Sequence, residues 1–251
     1  MIIRSARALE ERFEELGRGD VFIGSLPAKY LRGAPAVDLM ERGVRCVPTV
    51  LCQLISRSKC EQAFLFRQWM APHTRVIARR AELMQAVGYC ARNWIGAVVT
   101  KQEGMHCGHG IRRWDSAEIL YNTVAFTDSA YPFVLQPFLP DITDVRVIAV
   151  GDYVEAYVRE NIFNFRANLA VGGASRPLAM DAAAERLCRA VMARGRFPYA
   201  HIDLHLTADG RCWFSEISLD GGIAAARISR EELVRRKQEV LERLALGERV
   251  D

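Results

Sequence analysis

Apolar positions along the chain come in short runs separated by amphipathic stretches. MIIRSARALEERFEELGRGD spaces them at helical intervals and reads as an amphipathic helix with a charged face. VFIGSLP follows as a short buried strand ending in turn residues. AVDLMERG reads as a helix stopped by Gly43 and VRCVPT as a second strand, so the start of the chain predicts a small α/β piece. Ser58-Lys59-Cys60-Glu61 has capping-box spacing and predicts a helix running to about Met70. PHTRVIA is strand-like, AELMQAVGYCARN helical, and IGAVVTK a buried strand that ends on Lys101. Asp115-Ser116-Ala117-Glu118 caps a further helix, YPFVLQPFLP is an apolar strand broken by prolines, and SREELVRRKQEVLERLALG is a closing helix with a capping box from Ser229 to Glu232.

Two segments alternate strictly and predict hairpins. In HIDLHLTADGRCWFSEIS, Asp209-Gly210 reads as a two-residue turn. Leu206 then faces Trp213, Leu204 faces Ser215, Asp203 faces Glu216 and His201 faces Ser218. Ile202, Leu204, Leu206, Trp213 and Ile217 form the buried side. Two opposed carboxylates at roughly 4.5–5.5 Å between Cβ atoms repel unless a positive group lies between them. A hard divalent cation fits that need, and two solvated acids are the bland alternative. DVRVIAVGDYVEAYVRE turns at Gly151-Asp152. One face is Val145, Val147, Ala149, Val154, Ala156 and Val158, a core face. The other carries Asp144, Arg146, Glu155, Tyr157 and Arg159, with Asp144 opposite Arg159. Two arginines on one strand face suit phosphate oxygens; a solvated charged face is what this hairpin predicts by itself.

Composition narrows the class. The 251 residues are half hydrophobic and a quarter charged, as in ordinary globular proteins. A net charge of +4 with dispersed arginines points toward anionic small molecules and gives no support to nucleic acid as a partner. No 18-residue apolar run predicts a membrane span, and no secretory core opens the chain. Seven cysteines without CxxC spacing fit free thiols in a reducing cytoplasm.

TKQEGMHCGHG, residues 100–110, mixes two chemistries. His106, Cys107 and His109 suggest a transition metal, but they form neither a CxxC nor an i, i+4 pair. A nucleophilic Cys107 would need an activating base. A strand end, a lysine and glycines that let backbone N–H groups approach an anion are all present, so phosphate is the reading the spacing favours.

Taken in order, GAPAVDLMERGVRCVPT, SRSKCEQAFLF, VVTKQEG, LQPFLP, DVRVIAVGDYVEAYVRE, FRANLAVGG and HIDL…WFSEIS resemble the ATP-grasp superfamily, more closely its RimK-like carboxylate–amine ligases, over about residues 21–225. The resemblance implies an α/β (α+β) ATP-grasp fold, two α/β lobes with nucleotide between them. A shortened N-terminal α/β segment, 1–56, would precede an ATP-grasp domain at 57–251. It implies ATP and Mg²⁺ (or Mn²⁺) as cofactors, and a ligase joining a small-molecule or peptide carboxylate to an amine through an acyl phosphate. Lys59 and Lys101 match the lysines that contact phosphates; Gly104, Gly108 and Gly110 match the loop that closes over them. Gln136, Pro137, Phe138 and Leu139 match the linker beside adenine, and Asp141 a position that reaches the ribose. Asp203, Glu216 and Ser218 match the metal positions, with serine standing where the family has asparagine. Arg146, Arg166 and Asn168 match positions that handle the transferred phosphoryl group, where preorganised cations stabilise spreading charge. Arg159 matches such a position too, unless its pairing with Asp144 consumes it. The resemblance allows a homo-oligomer. The serine and the short first lobe keep a second reading open, a non-catalytic ATP-binding sensor or accessory module; a kinase stopping at phosphoryl transfer is a third.

Overall fold

The computed structural model describes residues 1–105, 109–160 and 174–248. Three parallel strands come first, β1 (Ile2–Ile3), β2 (Val21–Ile23) and β3 (Arg45–Val47), in the order β1–β2–β3. The expected single N-terminal helix is instead this first strand, helix α1 (Ala6–Glu11) and a 3-10 turn at Phe13–Glu15. Ladder bonds explain the difference: the Val21 amide donates to the Met1 carbonyl at 2.9 Å, and Ile3 becomes buried beside β2. Both faces of this sheet are covered. Phe22 and Cys46 pack with Leu9 and Leu39, while Val21, Ile23 and Val47 enter the main core. An uninterrupted apolar run such as VFI is what a strand covered on both sides requires. Helices α2 (Ala28–Leu31), α3 (Ala34–Glu41) and α4 (Val50–Ile55) surround it, and Gly43, at φ +80°, follows the end of α3.

Helix α5 (Lys59–Leu65) starts at Ser58, whose Oγ accepts from the Glu61 amide at 3.0 Å. A 3-10 turn at Arg67–Trp69 extends the helical stretch nearly to Met70. The second sheet is antiparallel, β4–β7–β5–β6, from β4 (Arg75–Ile77), β5 (Val98–Gln102), β6 (Ile111–Trp114) and β7 (Phe133–Pro137). Helices α6 (Arg80–Arg92) and α7 (Ala117–Val124) close its own core around Leu83, Ala86, Leu120, Phe133 and Leu135. The third sheet is antiparallel, β10–β9–β8–β11–β12, from β8 (Thr143–Val150), β9 (Tyr153–Glu160), β10 (Ala174–Pro177), β11 (Tyr199–Leu206) and β12 (Cys212–Ser218). Val145, Val147, Val158, Ile202, Leu204 and Ile217 from this sheet share the main core with α8 (Ala182–Gly195) and α9 (Arg230–Ala245). Ser229 Oγ caps α9 by accepting from Glu232 N–H at 3.2 Å.

The β8–β9 hairpin has the expected register, from Asp144 opposite Arg159 to Val150 opposite Tyr153. Val154, beside the turn, is 52% exposed rather than core. The β11–β12 hairpin departs in an instructive way. Thr207 N–H donates to Arg211 O and Gly210, at φ +80°, donates to Thr207 O, both at 2.9 Å, so the connection has three residues, Ala208–Asp209–Gly210. Leu204 consequently faces Phe214, and His205 faces Trp213. A shift between Asp203 and Leu204 then restores the expected pairs Asp203–Glu216, Ile202–Ile217 and His201–Ser218. Packing requires it. Phe214 and Ile217 are both fully buried and three residues apart, whereas a regular strand would point them to opposite faces. Skipping Ser215 as a β-bulge puts both in the core and turns Trp213 away from it.

Candidate active site

The second and third sheets line a cleft of about 1900 Å³, with α5 and the α2 and α4 region at its margin. All sequence-predicted site residues that fall among the described residues line it: Lys59, Lys101, Gly104, Gly110, Gln136, Pro137, Phe138, Leu139, Asp141, Arg146, Asp203, Glu216 and Ser218. Gly108, Arg166 and Asn168 lie outside the described residues, as do His106 and Cys107.

Lys59 occupies the first turn of α5 and is buried; its ammonium donates to the Met105 carbonyl and lies 3.7 Å from Glu216 Oε1. Lys101, at the end of β5, is buried too. Its Nζ donates to Ser215 Oγ at 3.0 Å and contacts the Ser215 carbonyl at 3.4 Å. The bulge therefore does a second job, presenting Ser215 to the buried ammonium. Burial pushes the Lys101 ammonium below its ordinary pKa, with the Glu216 carboxylate opposing. The expected phosphate loop connects β5 to β6: Gln102 N–H donates to Gly110 O at 2.9 Å. A Cβ on Gly110 would lie 2.6 Å from Met105 Cβ, so only glycine lets the loop close this tightly. Glu103 reaches back to accept from the Cys60 amide at 2.9 Å.

The charged face of β8–β9 is not solvated. Asp144, Arg159, Asp203 and Arg146 form an alternating chain of charges at the bottom of the cleft. Arg146 Nε donates to Asp203 Oδ1 and its Nη2 to Oδ2 at 3.1 Å; Arg159 Nη2 lies 3.0 Å from Asp203 Oδ2, and Arg159 Nε donates to Asp144 Oδ1 at 2.6 Å. Burial opposes ionisation of Asp203, yet Arg146 and Arg159 outweigh it and hold the carboxyl well below the usual range. At Asp144 burial prevails over Arg159 and pushes the group up to about 6. Arg159 thus pairs with Asp144 as expected and also with Asp203.

Two histidines on β11 share this face. Burial pushes His201 and His205 down to about 3, reinforced by Lys237 and Arg146 at the first and by Lys101 at the second. Both are neutral in the fold at pH values where an unfolded histidine is already charged. Their contribution is full above the unfolded pKa near 6.5 and is lost as pH falls toward 3. In urea titrations of the ligand-free chain between pH 6.5 and 4, each histidine is expected to lower stability by on the order of 1 kcal/mol per pH unit as pH falls. Asp144 partly offsets this loss, because it takes up a proton in the fold near pH 6 before it does so unfolded. His205→Asn should flatten that slope.

Asp203 and Glu216 are directly opposed across β11 and β12, and their hard oxygen donors suit a divalent cation that completes its shell with phosphate oxygens. Both Asp203 oxygens already accept from arginines, and Ser218 Oγ donates to the Asp220 carbonyl at 2.6 Å. Among the described residues no group of three or more His, Cys, Asp or Glu is preassembled for a metal. The two carboxylates fit as a partial ligand set. At the other end, Gln136 is buried and donates to Thr74 Oγ1 at 2.9 Å, so its side chain fixes the strand while Pro137, Phe138 and Leu139 line the wall. The Phe138 amide is taken by the Ala97 carbonyl at 2.9 Å. Asp141 follows at φ +53°. Sequence reasoning did not single out Ser215, Lys237 or the Glu103 contact. The odd spacing of Phe214 and Ile217 was the available signal for the bulge.

No known protein-family profile matches the chain. Over 137 residues, 51% of this chain, it is 35% identical to glutathione synthetase of Parasynechococcus marenigrum (strain WH8102), of which that stretch covers 42%. The chain therefore spans about two fifths of that relative's length. Among solved structures it resembles D-cycloserine synthetase DcsG, at 17% identity and TM-score 0.65 over 89% of this chain and 84% of that one. D-alanine–D-alanine ligase from Bacillus anthracis aligns at 15% identity and TM-score 0.62 over 97% and 86%. ATP-grasp ligase PsnB, complexed with minimal precursor, Mg and ADP, aligns at 16% and 0.58 over 88% and 79%. The chain has the ATP-grasp fold. No helix among the described residues is long and apolar enough to cross a membrane.

Proposed function

We propose that this chain is an ATP-dependent carboxylate–amine ligase of RimK-like type, acting on small-molecule or peptide substrates through an acyl phosphate. The observation that carries the reading is the cleft itself: two buried lysines, Lys59 and Lys101, face the Asp203, Glu216, Arg146 and Arg159 constellation across it. The names of the relatives support it, since they are synthetases and ligases, one of them solved with a precursor, Mg and ADP. In this reading residues 57–251 form the ATP-grasp domain, with 1–56 at the substrate margin. Lys59, Lys101 and the loop glycines hold the nucleotide phosphates, and Pro137 to Leu139 line the adenine side. Asp203 and Glu216 would hold Mg²⁺, with Ser218 beside them; the ion neutralises charge on phosphate oxygens when bound. Arg146, with Arg166 and Asn168, would face the transferred phosphoryl group.

ADP release from purified protein with ATP, Mg²⁺ and paired amino acids or peptides tests the proposal. Turnover that depends on both an acid and an amine is the expected result, and ATP binding without ADP release from any pair would overturn it. That second outcome belongs to the non-catalytic nucleotide-binding module. The observation favouring it is that both Asp203 oxygens are occupied by arginines.

A further inference from the structure

One end of the cleft is lined by the end of β12 at Ser218 and the turn that follows it, Leu219 to Gly222. Contacts hold it from several directions. The Leu219 amide donates to Ser56 Oγ at 2.8 Å, and Arg146 Nη1 and Tyr157 Oη reach the Gly222 carbonyl at 3.5 and 3.4 Å. From behind comes Lys237, on α9. Its Nζ donates to the Leu219 carbonyl at 2.6 Å and to Asp220 Oδ1 at 3.0 Å, and lies 3.5 Å from His201 Nε2.

Gly221 sits where no side chain fits: a Cβ there would lie 2.7 Å from Arg146 Nη1 and 2.8 Å from His201 Cγ. The backbone of the turn therefore rests on a guanidinium and an imidazole. His201 is 2% exposed, and its Nδ1 is buried with no hydrogen-bond partner among the described residues. Because Nε2 faces an ammonium, Nε2 is the acceptor and Nδ1 carries the hydrogen. The ring is fixed between Lys237 and Gly221, not by a bond at Nδ1. Lys237 lies outside all the segments that carry the ATP-grasp resemblance, and it is largely buried, with 14% of its side chain exposed.

We propose that Lys237 is a positioning residue of the acyl-substrate site. It pins the Leu219–Gly222 turn through the Leu219 carbonyl and through His201, so that Gly221 and Gly222 wall the space where an anionic acyl oxygen meets Arg146. This rests on the ligase reading for its substrate. Lys237 touches neither the lysines of the phosphate side nor Pro137 to Leu139, and it holds the turn beyond Ser218, so its loss acts mainly on the acyl substrate.

Lys237→Met is expected to raise KM for the carboxylate substrate about tenfold while KM for ATP stays within about twofold, and Lys237→Arg to recover most of the loss. A parallel rise in both KM values, or no change in either, overturns the proposal. Nitrogen-15 NMR of the His201 ring and hydrogen exchange at the Gly221 and Gly222 amides test the contact without turnover. The Nε2 signal is expected to move and both amides to exchange faster in Lys237→Met; unchanged signals and exchange overturn it. Failure of the wild-type chain to release ADP would strike the ligase reading and leave these two measurements decisive for Lys237. If the methionine variant does not fold, Lys237→Gln keeps one N–H for the Leu219 carbonyl and is expected to show the same split, reduced.

Discussion

Asp203→Ala is expected to lower the unfolding free energy of the ligand-free chain by about 3–5 kcal/mol, because it strands two buried guanidinium groups. Arg146 and Arg159 both spend hydrogen bonds on this one carboxylate, and among the described residues only Arg159 has another acid, Asp144, to fall back on. Glu216→Gln makes the informative contrast. Glu216 is a third exposed and has a single ion pair among the described residues, 3.7 Å from Lys59, so its loss should cost less than about 1 kcal/mol. Under the proposed function both substitutions abolish ADP release. Urea unfolding then separates them: the aspartate variant is inactive and weakened, the glutamine variant inactive and nearly as stable as the parent. Equal destabilisation would mean that Glu216 belongs to the ion network, and retained turnover in Glu216→Gln would remove it from the metal assignment.

The second large effect has opposite signs in two measurements. Lys101 is a buried ammonium whose hydrogen bonds among the described residues go to Ser215, a neutral residue, so the ligand-free fold gains little from its charge. Replacing a buried charge with an apolar side chain of similar length is often neutral or stabilising. Lys101→Met should therefore unfold at the same urea concentration or a higher one. Its affinity for ATP, measured by calorimetry, should fall by about 10- to 100-fold, the worth of a charge-assisted hydrogen bond to phosphate. A methionine variant that binds ATP as well as the parent would assign Lys101 to structure alone. One that loses stability would show that the Ser215 contact holds β5 against β12.

Much of this was legible in the sequence because local chemistry decided it. Capping boxes at Ser58 and Ser229 started helices where expected, and Gly151-Asp152 set the β8–β9 register. The Asp203–Glu216 pairing came out as expected, but by a route the alternating pattern does not contain. The turn has one residue more than Asp209-Gly210 alone, and the bulge at Ser215 takes one residue out again, so two single-residue slips cancel before Asp203. Turn chemistry is local, whereas a bulge answers to the core, which sequence periodicity does not see. The same limit explains the charged face of β8–β9. Alternation showed that Asp144, Arg146 and Arg159 share a side; only tertiary structure shows that this side lines a cleft and is buried. Lys237 stayed out of view for a related reason, being one of many charges on an amphipathic helix until its packing is known.

The division of the cores has a mechanical consequence. Val21, Ile23 and Val47 of the first sheet share one core with the third sheet, and α9 is bonded to both: Arg45 donates to the carbonyls of Leu244 and Ala245, and Arg236 to Asp152. The second sheet builds a core with α6 and α7 on one face, while Val134 of β7 and Val76 of β4 pack into the shared core on the other. Close-packed interiors move as units. The first and third sheets together make an anvil, and a change in the width of the cleft concentrates at the seam where Val134 and Val76 meet it, carrying Lys101 and Pro137 to Leu139. The carboxylates, the arginines and the Lys237 turn all stand on the anvil and keep their mutual distances through that change.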